Sequence, residues 1–167
     1  MNNTITYTIM ASLLYTFIIN GYLFLLMITM DPRIWGYSDY PQIVQDKVSP
    51  PSRQEKRAAI LVSIPFLLLM VGLPIFSVLN LRFNIEGSYS IWIGFIHLFA
   101  LFLSASFGDM VILDWLIISK ITPDFVVIEG TEKDDYKDFS THFKGHLKAS
   151  IFIIPFLLII AFIVSLI

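Results

Sequence analysis

Cysteine is absent from the 167 residues, so disulfides, iron–sulfur clusters, zinc fingers and thiol nucleophiles are excluded together, and redox compartment leaves no trace. Any metal has to be held by histidine, carboxylate or carbonyl oxygen, and histidine itself is scarce, with three residues. Charge is scarce as well. Asp, Glu, Lys and Arg together make up 14% of the chain, and none of them occurs in residues 1–30. Basic residues are few and are countered by acids in both charged loops, which argues against nucleic acid as a partner. No phosphate-cradling glycine loop or redox-cofactor fingerprint is present either.

What the chain has in quantity is apolar surface: 56% of residues are hydrophobic and the mean hydropathy is +0.76, well above the norm for a soluble domain. This predicts an all-α integral membrane protein, a single four-helix transmembrane domain over 1–167 with spans near 8–30, 58–81, 89–120 and 147–167. The first span lacks a basic leading segment and a small-residue cleavage site, so it reads as a membrane helix rather than a signal peptide. Asn20 within it calls for a hydrogen bond to a neighbouring helix. The loop from Asp31 to Arg57 mixes Trp35, Tyr37 and Tyr40 with prolines and predicts an irregular segment along the headgroups, with lipids as neighbours. Ser52-Arg-Gln-Glu55 has the spacing of a capping box and predicts the next helix start. Pro65 and Gly72-Leu-Pro74 predict a loosened second span, and Arg82 to Glu86 a short hairpin into the third.

The third span is unusually long. From Tyr89 to Lys120 it would make roughly 45 Å of helix against a hydrocarbon core of about 30 Å. It therefore tilts, protrudes or breaks near Gly108, and Asp109 and Asp114 lie at or inside one membrane face. His97 reads as a packed histidine bonded to another helix, and Ser104-Ala-Ser-Phe-Gly108 as a small-residue contact surface. Lys and Arg number five from Arg33 to Arg57, one in the second connector and five from Lys120 to Lys148. The positive-inside rule then places loops 31–57 and 121–146 in the cytoplasm and both termini outside a cell membrane.

Function, if written anywhere, is written between Gly108 and His146. Thr131-Glu-Lys-Asp134 is a second capping-box pattern and predicts a cytoplasmic interfacial helix running into the fourth span. At 100° steps Asp135, Asp138, His142 and His146 fall within roughly 80° of one another, and Lys133, Lys137, Lys144 and Lys148 lie opposite. Two histidines four residues apart reach one ion, with an acid a turn earlier as a further ligand or a ring orienter. Asp109 and Asp114 are five residues apart, about 140° on a regular helix, and do not grip one ion together unless the helix bulges or breaks.

The expected site thus has Asp109 and Asp114 as catalytic acids and Asp135, Asp138, His142 and His146 as ligands to a divalent metal such as zinc. A metal-dependent membrane enzyme or ligand-binding protein acting on a lipid-like substrate follows from this arrangement. The alternatives are a small proton- or cation-coupled transporter using Asp109, and a non-catalytic subunit that assembles with itself or with another membrane protein.

The pattern Asp109…Asp114-Trp115…Pro123…Phe125-Val-Val-Ile128…Gly130-Thr131-Glu132…His142-Phe143…Gly145 resembles uncharacterised small four-helix prokaryotic integral membrane proteins. The resemblance covers the C-terminal third. It implies the topology and carries over no activity.

Overall fold

The computed structural model describes residues 2–84 and 89–167, and regular structure among them is helical throughout. The hairpin expected between Arg82 and Glu86 lies partly outside the described residues. Helix α1 runs Asn2–Thr29, α2 Pro32–Trp35, α3 Gln42–Lys47, α4 Arg53–Asn84 and α5 Ile91–Gly108. A π-helical segment, Asp109–Ile121, continues α5, and α6 (Phe139–Phe152) and α7 (Ile154–Ser165) complete the chain. Four helical stretches are long and apolar enough to cross a membrane: Asn3–Thr29, Arg53–Asn84, Ile91–Ile121 and Lys133–Ser165.

The third of these is the hub. Of its most apolar window 39% is buried inside the protein, against 6% for α4, whose side chains mostly face outward. Side-chain size explains the close packing of α1 on α5. Thr16 Oγ1 donates to Ser104 Oγ at 3.0 Å, and Asn20 Nδ2 donates to the Ala105 carbonyl at 3.2 Å. A Cβ at Gly108 would lie 2.8 Å from that same Asn20 nitrogen, so glycine is what lets the two helices approach.

Further along, His97 is fully buried and bonds Thr8 Oγ1 of α1 and Ser77 Oγ of α4, each at 2.9 Å. Tyr7 stacks on its ring at 5.5 Å. Pro74 has no N–H to offer the Met70 carbonyl one turn back, and the Tyr15 hydroxyl fills the vacancy at 3.1 Å.

The first and third connectors pack together over one end of the bundle. Tyr40 and Val44 from the first share a buried cluster with Val126, Ile128 and Tyr136 from the third. Tyr40 Oη donates to the Val126 carbonyl at 2.9 Å, and Lys47 Nζ reaches both oxygens of Asp135 at 2.7 Å. The first connector is more ordered than its prolines suggested. Asp31 accepts the Arg33 N–H at 2.8 Å with Pro32 in the first helical turn, which starts α2.

The helix expected from Glu132 into the last span is interrupted. A short 3-10 turn, Lys133–Tyr136, carries its capping box between Glu132 and Asp135, one residue later than expected. The chain then breaks, because Asp138 accepts from the Ser140 and Thr141 N–H groups at 3.0 and 3.4 Å and so begins α6 afresh. Pro155, within the first turn of α7, separates it from α6.

Candidate functional site

The site begins with a change of winding. Up to Gly108 the third helix is an α-helix; from Asp109 onward it closes i→i+5 turns, and the Asp109 N–H is shared between the Ala105 and Ser106 carbonyls at the junction. Residues five apart stack on one face of such a helix, where on an α-helix they would diverge. Asp109 and Asp114 therefore point the same way, although on a regular α-helix they would lie about 140° apart. At its far end the segment is closed by Thr122, held at φ 49° by its hydroxyl bond to the Ile118 carbonyl at 2.7 Å, with Pro123 following.

Helix α6 brings the histidines to this face. Trp115 Nε1 of the π segment donates to the Phe139 carbonyl at 3.3 Å, and the two rings meet edge to face, which fixes the start of α6. Two turns further, His146 Nε2 lies 2.8 Å from Asp114 Oδ2 and 4.0 Å from Asp109 Oδ2. His142 Nδ1 is 3.3 Å from the same Asp114 oxygen. The other His146 nitrogen, Nδ1, is 2.8 Å from Ser106 Oγ. One ligand atom from each of Asp109, Asp114 and His146 lies within 4.8 Å of the others. His142 is 5% exposed, and its Nε2 has no hydrogen-bond partner among the described residues.

Two of the expected ligands are placed elsewhere. With the helix broken before α6, Asp135 and Asp138 no longer share an arc with the histidines. Asp135 is bound by Lys47 and by the Glu132 N–H at 2.8 Å, and Asp138 is occupied by the backbone and hydroxyls of Ser140 and Thr141. Neither belongs to the converging group, which consists of Asp109, Asp114 and His146.

Ser106 and Asp39 enter the site without a signal in the sequence. Ser106 reads only as a small residue, and Asp39 is a single acid among Tyr37, Ser38 and Tyr40. Asp39 comes from the loop after α2 and opens into a cavity of about 500 Å³ that Asp109 and Asp114 also line. Surrounding protein pushes the Asp39 carboxyl above its ordinary range, and the negative charge of Asp114 adds to the effect. Met27, Trp35, Phe66 and Leu113 are among the apolar walls.

Compared with known proteins, this chain matches no family model, no curated protein and no solved structure. The site is therefore read from its own chemistry. Two carboxylates and an imidazole make a three-ligand set suited to a divalent ion with a position left for water. Ser106 on the far nitrogen of His146 fixes ring orientation, and His142 against Asp114 does the same for the carboxylate.

Proposed function

We propose that this is a multi-pass membrane protein whose polar site, at the cytoplasmic membrane face, holds a divalent metal such as zinc through Asp109, Asp114 and His146. The metal serves an enzyme or ligand-binding protein that acts on a lipid-like substrate. Both termini lie outside, and the connectors that cover the site lie in the cytoplasm. The observation that carries the reading is the convergence of those three side chains within 4.8 Å, where no Lys or Arg among the described residues pairs with either acid. Uncompensated carboxylates at the edge of an apolar bundle are costly, and a cation offsets that cost. A metal in such a set polarises a substrate carbonyl or lowers the pKa of a bound water, and the apolar cavity beside it accommodates a hydrocarbon chain.

Metal analysis of the purified protein after exposure to zinc and removal of the excess tests this. The expected result is about one equivalent, falling to roughly a tenth or less in Asp109→Asn/His146→Ala. A wild-type protein without bound metal, or a double variant that keeps the full equivalent, overturns it.

A second reading is proton- or cation-coupled transport with Asp109 as carrier. It is favoured by the chain of contacts Ser106–His146–Asp114–His142, which is a path for a proton. Flux into proteoliposomes that survives Asp109→Asn ends that reading.

A further inference from the structure

The cavity beside the acids also bears on which molecules it admits. Among the described residues three of those that line it are charged, Asp39, Asp109 and Asp114, and all are acidic; neither Lys nor Arg is among them. Phosphate and sulfate headgroups are recognised by Arg, Lys or clustered N–H donors, and a wall of carboxylates repels them. Adding a divalent ion does not reverse this, because the charges of Asp109 and Asp114 already match it, and Asp39 stays as the surplus acid.

The cavity is also reachable from the lipid side. Ile60 of α4 lines it and is nevertheless 62% exposed, beside Leu61 and Ile64 on the outward face of the same helix. Leu23, Leu26 and Met27 of α1 line the opposite side. The rim between α1 and α4 is thus apolar and faces the region that acyl chains fill, whereas the polar end carries Asp39, exposed on the loop after α2.

We infer that the substrate is an amphiphile with an apolar tail and a head that carries no anionic group, admitted from the bilayer past Ile60, with Asp39 selecting against anionic heads. The inference rests on the proposed site as the place of substrate binding, and it deepens that reading by naming the substrate class. Asp39 acts as a specificity residue. Its carboxylate lines the polar end of the cavity and repels a phosphate there.

Photo-crosslinking in nanodiscs tests it, using diazirine-tailed diacylglycerol and the matching phosphatidic acid, with labelled peptides mapped by mass spectrometry. Diacylglycerol is expected to label the Ile60–Phe66 region about tenfold more than phosphatidic acid. Asp39→Lys should raise phosphatidic acid labelling to at least the level of diacylglycerol. Asp39→Asn, which removes the charge without changing the volume, should narrow the gap. Equal or stronger phosphatidic acid labelling of the wild type, or a ratio that neither Asp39 variant changes, would each overturn the inference. Metal content measured on the same samples is a separate readout. Absent metal with the lipid preference intact defeats the metal reading alone, and bound metal without the preference defeats this one alone.

Discussion

Two histidine-centred polar clusters are built against the same long helix, one on its own His97 and the other on His146 of α6, and they differ in every respect that matters for function. Around His97 both ring nitrogens are bonded, the partners are the neutral hydroxyls of Thr8 and Ser77, and no carboxylate among the described residues takes part. Around His146 the partners are Asp114, Asp109 and Ser106, and a cavity adjoins the two acids. In a low-dielectric surrounding, a closed neutral network stabilises the packing of the three helices it joins. A cluster of charges next to open volume does the opposite at rest: it holds unmet electrostatic demand that a ligand can satisfy.

The sharpest way to break this comparison is Asp114→Ala. Asp114 touches both histidines, so its loss removes a ligand and releases the rings together. Metal affinity should fall by about a hundredfold or more, as for loss of a ligand together with its supporting contacts. Isothermal titration with zinc measures this. The same change leaves the buried His142 ring without its partner, so the unfolding midpoint of the metal-free protein should fall modestly as well. A large loss of stability with affinity unchanged would make the site a structural lock like the one at His97.

His97→Ala should show the converse. It leaves Thr8 Oγ1 without its partner and opens a void between α1, α4 and α5, at a cost of about 2–4 kcal/mol by the usual values for buried truncations and orphaned hydroxyls. Reversible unfolding in mixed micelles measures the loss, and zinc titration of the folded variant should match wild type. If the His97 variant also loses metal, the two clusters are coupled along the helix and the contrast drawn between them fails.

How far the chain itself announces this arrangement differs between the two clusters. The four apolar stretches follow from composition and length, and the roles of Asn20 and His97 follow from the rule that a polar group in hydrocarbon finds a partner on a neighbouring helix. Asp109, Asp114, His142 and His146 stand out for the same reason. Their assembly does not. It depends on π winding, which no run of residue types announces, and which turns a 140° separation on a regular helix into a shared face. Asp135 and Asp138 read as ligands because the 100° projection assumes an unbroken helix, whereas Asp138 prefers to cap a new one. Asp39 reaches the site through the tertiary packing of Tyr40 against Tyr136 and Val126, a long-range contact with no local signature.

The junction between the two regions offers the finest probe. Gly108 is the last residue of the α-helical part, and a methyl group there would sit 2.8 Å from Asn20 Nδ2 and 2.9 Å from the Thr16 side chain. Gly108→Ala must therefore push α1 away or disturb the Asn20 bond to the Ala105 carbonyl, at a cost of about 1–3 kcal/mol for an overpacked contact. The Ala105 carbonyl also takes part in the shared hydrogen bond from Asp109 where the winding changes, so the strain reaches the first acid of the site directly. His97 lies eleven residues earlier on the same helix, three turns away, and its bonds to Thr8 and Ser77 do not pass through this contact. Zinc affinity should drop by about tenfold, less than for Asp114→Ala, because the ligands remain and only their alignment suffers. Amide exchange around His97 should be unchanged while that around Asp109 rises. Equal effects on both would mean that the helix responds as one rigid rod, and that the change of winding does not separate the packing end from the chemical one.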